Sequence, residues 1–367
     1  MEKASDILSY FASMQDPRVE RTRHHLLEDI IFITIAGVIC TAETWNDIED
    51  FGNAKYTWLK TFLLLPNGIP SHDTFNRFFA ALDSRAFEKC FVDWVNSVAK
   101  ITHGEVVSID GKTIRGSRGK GAKSAIHMVS AWANINQLVL GQYKVDQKSN
   151  EKTAIPALLE VLALKGCIIT IDAMGCQTNI AQAILEKGAD YILAVKDNQQ
   201  ELHQNIQDSF RFIKPTLSHQ FIDADHGRVE TRTCTVLDDL SMIEQADKWN
   251  GLQSIVKIES ERYIKSTGNT ENETRYYITS LKADAEKTGK SIRSHWGVEN
   301  SLHWTLDVAF GEDHSRKRAG NAAENYSIVL RIALNLIKNE KSSNRGIKGK
   351  RLKAGWDNDY LLLILKN

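Results

Sequence analysis

Glu105-Val106-Val107-Ser108-Ile109-Asp110 is a short β-branched run that ends on an acid, and the basic, turn-forming stretch Gly111-Lys112-Thr113-Ile114-Arg115-Gly116 follows it. Cys167-Ile168-Ile169-Thr170-Ile171-Asp172 repeats the pattern later in the chain. Short Val/Ile runs bounded by turn residues read as buried strands. Between the two runs, His127 to Asn134 and Gln137 to Val145 read as a hairpin with Asn134-Ile135-Asn136 near its turn. Ile155 to Leu164 has helical spacing, a second helix covers about Asn179 to Lys187, and Tyr191 to Val195 is a third buried strand. The order β-β-β-α-β-α-β predicts an α/β fold whose sheet has mixed pairing.

Upstream, residues 1–100 read as helical. Ile7, Leu8, Phe11 and Met14 follow 3/4 spacing. Ile30 to Cys40 is an apolar run of 11 residues, against about 20 for a membrane span. It therefore predicts a buried helix. Pro66-Asn67-Gly68-Ile69-Pro70 is a turn, and Ser71 caps a helix with Phe75, Phe78, Phe79 and Leu82 on one stripe. His72, Asp73, Asn76 and Arg77 near its start suit either DNA contact or a packing helix.

Downstream, residues 200–285 break the alternation with three β-like runs, Glu230 to Leu237, Gln253 to Glu259 and Arg275 to Ser280, separated by polar loops such as Ser266 to Glu273. They read as a β-rich insertion before a last helix, Ser291 to about Leu306. The expected units are 1–100, a helical N-terminal domain; 101–199, the first part of the core; 200–285, the insertion; 286–340, the final core helices; and 341–367, a basic tail.

Among 367 residues, 46 Lys and Arg balance 46 Asp and Glu, with 42% apolar and 25% charged residues, which excludes disordered and collagen-like classes. Five cysteines, an odd number without a CxxC pair, predict a reducing compartment and no zinc ribbon. The stretch from Met1 to Met14 shows no basic region ahead of an apolar one, so no secretory signal is expected. Charge is unevenly spread. Residues 314–367 hold 12 basic and 4 acidic side chains, including Arg316-Lys317-Arg318 and Lys348, Lys350, Arg351 and Lys353. Such a flank suits a polyanion or a solvated terminus.

Two strand-end aspartates surrounded by Val and Ile are costly unless paired or bound to metal. Each alone reads as a loop cap or salt-bridge partner. With Glu299 on the following helix they form a constellation of three carboxylates that raise one another's pKa values. A divalent cation resolves that conflict, and oxygen donors favour Mg²⁺ or Mn²⁺. Two such ions clamp a phosphoryl group between attacking and leaving oxygens. A rival set is His295, Glu299 and His303, spaced every four residues on one helix face, although the zinc-hydrolase order HExxH is absent.

SIDGKTIRGS, TIDAMGCQ and IRSHWGVENSLHWTLDVAFGEDHSRKR resemble the DDE transposases of the ISAs1 insertion-sequence family, related to the IS4 group and close to the H-repeat-associated proteins of enteric bacteria. DPRVERTRHHLLEDIIFITIAGVICTAETWNDIEDFG resembles the family's N-terminal associated domain, and KSNEKTAIPALLE, LAVKDNQ, HGRVETR and RYYITSL match further segments in order. The resemblance implies an RNase H-like mixed sheet with flanking helices. It implies a catalytic, metal-holding triad on Asp110, Asp172 and Glu299, with two Mg²⁺ or Mn²⁺ ions. It also implies DNA cleavage that frees a 3′-OH, strand transfer by that 3′-OH, and a homodimer on paired double-stranded DNA ends. The resemblance further implies a bacterial, cytoplasmic and nucleoid-associated setting, with no membrane. Lys112, Arg115 and Lys196 are candidates for phosphate contact. The wider group's Tyr-x2-Arg-x3-Glu-x6-Lys positions hold Ile292, His295, Glu299 and Leu306 here. Arg293, His295 or His303 therefore stands in for the basic role, and Trp296 or Trp304 is either core or a stacking platform for an unpaired base. A DNA-binding relic without catalysis and a nuclease without strand transfer remain as alternatives.

Overall fold

The computed structural model describes residues 7–118, 125–145, 150–215, 217–225 and 227–366. Met1 to Asp6, Lys148 and Ser149 of KSNEKTAIPALLE, and His226 of HGRVETR lie outside the described residues. The first part is helical: α1 (Ile7–Phe11), α2 (Leu27–Ile39), α3 (Trp45–Ala54), α4 (Tyr56–Leu59), α5 (His72–Ala81) and α6 (Ser84–Val98). Capping residues set the starts. Thr44 and Asp47 form a reciprocal capping box at α3, Ser71 caps α5, and Asp83 caps α6 through the Arg85 and Ala86 amides. The apolar run is α2, buried along nearly its whole length, with Asp29 accepting the Leu65 amide at 3.0 Å.

The sheet follows: β1 (Val106–Thr113), β2 (His127–Ala133), β3 (Leu138–Val145), α7 (Glu151–Val161), β4 (Ile168–Ile171), α8 (Thr178–Glu186) and β5 (Asp190–Val195). This is the order expected from the sequence. β1 runs parallel to β4, β4 parallel to β5, and β2 antiparallel to β1. After α9 (Gln200–Phe212) come β6 (Leu217–Asp225), β7 (Arg228–Leu237), β8 (Ser254–Ile264) and β9 (Asn269–Thr279). Three corrections apply here. The region contains four strands, with β6 added to the expected three. The polar stretch Ser266 to Glu273 is largely strand, since Asn269 pairs with Ile264 and Glu273 with Ser260. And β9 pairs with β5, which makes one nine-stranded sheet, β3-β2-β1-β4-β5-β9-β8-β7-β6.

The chain closes with α10 (Ala285–Ser294), a π-helical turn (Val298–His303), α11 (Trp304–Phe310), α12 (Ala322–Asn339), α13 (Ile347–Trp356) and α14 (Asn358–Leu365). The expected single helix from Ser291 to Leu306 is thus broken in register at its middle. Buried α12 joins the two halves. Asn335 exchanges two hydrogen bonds with the Val139 backbone of β3, both 2.9 Å, and Asn325 donates to the Phe79 and Leu82 carbonyls beside α5. Helices α1 to α6 share one continuous apolar core with β3 and α12.

The basic tail is also corrected. Lys350 and Arg351 are buried in α13. Arg351 donates to the Val38 carbonyl at 2.7 Å and covers the Phe310 ring, while Lys350 donates to the Ile337 and Glu340 carbonyls. Lys317 lies 3.6 Å over the Tyr326 ring, and burial pushes its ammonium down to about 7. These cations neutralise helix C-terminal carbonyls and aromatic faces inside the fold, where a polyanion cannot reach them. Lys348 stays exposed. No helix of the described residues is long and apolar enough to cross a membrane.

Candidate active site

Register brings the two strand-end acids together. Ile109 of β1 lies beside Ile171 of parallel β4, so Asp110 and Asp172 occupy the next positions on neighbouring strands. β4 stops there, and Asp172 caps a short turn by accepting the Met174 amide at 3.0 Å. The α10–π-turn segment then crosses this edge. A polar ladder holds it: Asn134 donates to the Val106 carbonyl (3.0 Å) and the Ser108 hydroxyl (2.9 Å). The Thr170 hydroxyl donates to Ser108 at 3.2 Å and lies 2.9 Å from His295 Nδ1. Gly297 passes directly over Asn134, where a Cβ would collide with the amide oxygen. Glu299, in the wider π turn, is thereby set facing the aspartates. Such turns recur at functional sites because they redirect one side chain within a helix.

Asp110, Asp172 and Glu299 line one cleft of about 430 Å³ with Lys196, Arg275, Tyr277, His295 and Trp296. Burial pushes the Asp110 carboxyl up to about 7, and the charges of Asp172, Glu151 and Glu299 add to the effect. Burial, followed by the charge of Glu151, also raises Asp172. Neither aspartate nor Glu299 makes an ion pair with Lys or Arg among the described residues. Yet no three His, Cys, Asp or Glu side chains of the described residues are preformed as a metal-ligand set. The acids converge on one cleft without closing on one point. Their chemistry fits a divalent cation: all the donors are carboxylate oxygens, the two aspartates half-buried and Glu299 exposed, with no Lys or Arg ion-paired to them among the described residues.

The other sequence candidates divide. Lys196 lies at the exposed rim of the cleft, and Trp296 lines it with the Arg275 guanidinium 5.2 Å above its ring. Arg293 lines a neighbouring groove of about 670 Å³ over the β6–β9 face, which shares Arg275 and Trp296 with the cleft. Arg115 is exposed, 3.6 Å from Asp313. Trp304 is 62% exposed, so it is not core.

Lys112 needs correction as a phosphate contact. Its ammonium is enclosed by Asp307, Glu312 (3.0 Å) and Asp313 (3.8 Å), so its charge is already compensated. His295 and His303 also need correction as cationic contacts. Burial pushes His295 down to about 4 and His303 to about 3, leaving both neutral at neutral pH. His303 Nδ1 stands 3.5 Å from Asp110 Oδ2 and serves as its neighbour. The rival His295–Glu299–His303 set is not assembled, because His295 is bonded to Thr170. Of the N-terminal candidates, His72 is bonded to Glu49 and Asn76 accepts the Trp45 indole N–H, while Arg77 is exposed.

Sequence reasoning missed Arg275 and the Glu151–His127 pair. Arg275 was hidden inside a strand pattern. Glu151 belongs to a matching family segment, but its place at the start of a helix made it look like an ordinary first-turn acid.

A model described as "Transposase DDE domain" matches residues 102–336, and one described as "DDE_Tnp_1-associated" matches residues 8–95. The chain is 45% identical to "Putative transposase YncI" of Escherichia coli O157:H7, over 98% of this chain and 94% of that protein. It is 40% identical to "H repeat-associated putative transposase YhhI" of Escherichia coli K12, over 98% of this chain and 97% of that one. "Inactive transposase YbfQ" of the same strain is 51% identical over 53 residues, 14% of this chain and 63% of that protein. A whole-domain match and full-length similarity to such relatives leave one conclusion: this chain belongs to the DDE transposase family, with the family's associated domain at its N-terminal side.

Proposed function

We propose that this protein is an insertion-sequence transposase that cuts DNA at element ends and joins the freed 3′-OH to target DNA, in an RNase H-like core whose acidic triad is Asp110, Asp172 and Glu299. One observation carries the reading. Three carboxylates from two adjacent strand ends and one facing helix line a single cleft, with Asp110 pushed up to about 7 and no Lys or Arg ion-paired to any of them among the described residues. An arrangement that costly to stability is retained for chemistry.

Asp110, Asp172 and Glu299 would hold the divalent ions, Mg²⁺ or Mn²⁺. When bound, such ions would supply activation of a water and neutralisation of the leaving oxygen in an in-line displacement. In the cleft beside the triad a water meets the scissile phosphorus. Its oxygen bonds to phosphorus as the P–O3′ bond breaks, leaving a 3′-hydroxyl and a 5′-phosphate. The same 3′-hydroxyl then attacks a target phosphorus while the target's own 3′ oxygen leaves. Exposed Lys196 at the rim and exposed Arg293 farther out meet backbone phosphates and set the register of the duplex, whereas Arg275 and Arg115 reach phosphate only by exchanging Glu273 (2.7 Å) and Asp313 (3.6 Å). A homodimer on paired ends brings two such clefts to one target.

The test is Mg²⁺-dependent cleavage of double-stranded DNA carrying the element's own ends, with Glu299→Ala and Asp110→Ala as controls. Wild-type nicking that both variants lose, with end binding retained, supports the triad; nicking by either variant refutes it. A strand-transfer assay separates a transposase from a nuclease that stops at hydrolysis. Binding of the ends without cleavage by any form identifies a DNA-binding relic.

A further inference from the structure

The Glu151 carboxylate sits at the first turn of α7, where Asn150 Oδ1 accepts the Lys152 amide at 3.1 Å and starts the helix. His127, the first residue of β2, reaches it: Nε2 lies 2.6 Å from Glu151 Oε1, while Nδ1 lies 2.8 Å from the Thr113 hydroxyl at the end of β1. The chain Thr113–His127–Glu151 fixes the carboxylate's direction, with side chains 28% and 16% exposed for His127 and Glu151. The pair lies over Gly111, next to Asp110. A Cβ on Gly111 would stand 2.5 Å from His127 Nε2 and collide with the carboxylate. The backbone is therefore bare where Glu151 approaches the first acid of the triad. The negative charge of Glu151 also bears on both aspartates, and on Asp172 it is the leading charge. The lysine nearest in sequence to Asp110, Lys112, is committed elsewhere. A first-turn acid ordinarily faces solvent; this one is held over the β1 backbone beside Asp110.

We propose that Glu151 is a fourth carboxylate beside the cleft, aimed by His127, and that it supplies a further oxygen ligand to the divalent cation received by Asp110 and Asp172. The inference rests on the metal-carboxylate reading given above. His127 acts through Glu151 as a positioning residue, as hydrogen-bonded partners of ligands generally do.

The experiment is Mn²⁺ titration of the full chain followed by electron paramagnetic resonance, with thermal unfolding measured with and without Mn²⁺. The proteins are wild type, Glu151→Gln, His127→Gln, Asp110→Asn and the surface control Glu160→Gln. Glu151→Gln is expected to weaken Mn²⁺ binding about tenfold or more, and to shrink the Mn²⁺-induced rise in Tm, with the metal-free Tm little changed. His127→Gln is expected to shift both readouts the same way by less, and Glu160→Gln to move neither. Wild-type Mn²⁺ affinity in Glu151→Gln, with binding lost in Asp110→Asn, overturns the fourth ligand and leaves the triad standing. A lowered metal-free Tm in Glu151→Gln with unchanged Mn²⁺ affinity also overturns it, because that is the signature of a structural ion pair. Absence of Mn²⁺ binding in the wild type removes the underlying reading, and this inference with it.

Discussion

Two acid-rich regions lie side by side in this protein and are treated in opposite ways. In the first, Glu312, Asp307 and Asp313 surround Lys112, and Arg331 from α12 pairs with Glu312. Glu312 and Arg331 are both fully enclosed, and the two cations hold the Glu312 carboxyl below its ordinary range despite the opposing effect of burial. In the second, the charges of Asp172, Glu151 and Glu299 bear on Asp110, Glu151 is bonded to His127, and none of the four acids has a Lys or Arg ion-pair partner among the described residues. There burial and mutual repulsion push Asp110 up to about 7. Asp110 and Lys112 are two residues apart on one strand, yet each belongs to a different region. The difference teaches how structural acids can be set apart from those proposed to act: the former come with their cations, the latter leave the charge unbalanced for something else to balance.

The largest expected effect breaks the compensated region. Arg331→Met strands the Glu312 carboxylate in a sealed interior and should cost about 3–5 kcal/mol of stability, read by urea unfolding at pH 7. A loss under 1 kcal/mol would mean that Lys112 alone balances Glu312.

In the uncompensated region the sign reverses. Asp110 binds its proton more tightly folded than unfolded, so its contribution to metal-free stability falls as pH rises from about 4 to about 7. Asp110→Asn removes that slope. It should stabilise the metal-free protein at pH 8 by about 2–4 kcal/mol and have no effect near pH 4. Equal stability of the two proteins at pH 8 would show that the carboxylate is not strained. Metal should act the same way. Saturating Mg²⁺, at about a hundredfold its Kd, should add about 2.7 kcal/mol to wild type and little to Asp110→Asn. Calorimetry on both proteins checks this, and an equal gain would place the ion outside the triad.

The smallest effect concerns how Glu299 is delivered. Gly297→Ala inserts a methyl against the Asn134 amide and should cost about 1–3 kcal/mol, with nicking reduced more than the stability loss accounts for. Unchanged activity would mean that the ladder from Asn134 to His295 does not set the position of Glu299.

Much of the fold was legible because its signals are local. β-branched runs ending at Asp110 and Asp172, the hairpin around Asn134 to Asn136, and the unbroken apolar face of α2 follow from side-chain periodicity alone. The outer parts of β8 and β9 were not legible. They reach beyond the apolar core, so both faces from Asn269 to Glu273 are polar and solvated. A polar hairpin of that kind has the composition of a loop. The π turn was equally hidden, since one wider turn changes hydrogen-bond register without changing which residue types occur.

The sequence by itself determined the strand and helix order, the two strand-end aspartates, and the family to which the chain belongs. These depend on short-range patterns and on residue identity. Only the tertiary structure decided the fate of each charge. It assigned Lys112, Lys350 and Arg351 to the interior, made His295 and His303 neutral by burial, and paired Glu151 with His127 over Gly111. The reason is that a side chain's charge and reach are set by its neighbours and by its distance from water, and those neighbours come from distant parts of the chain.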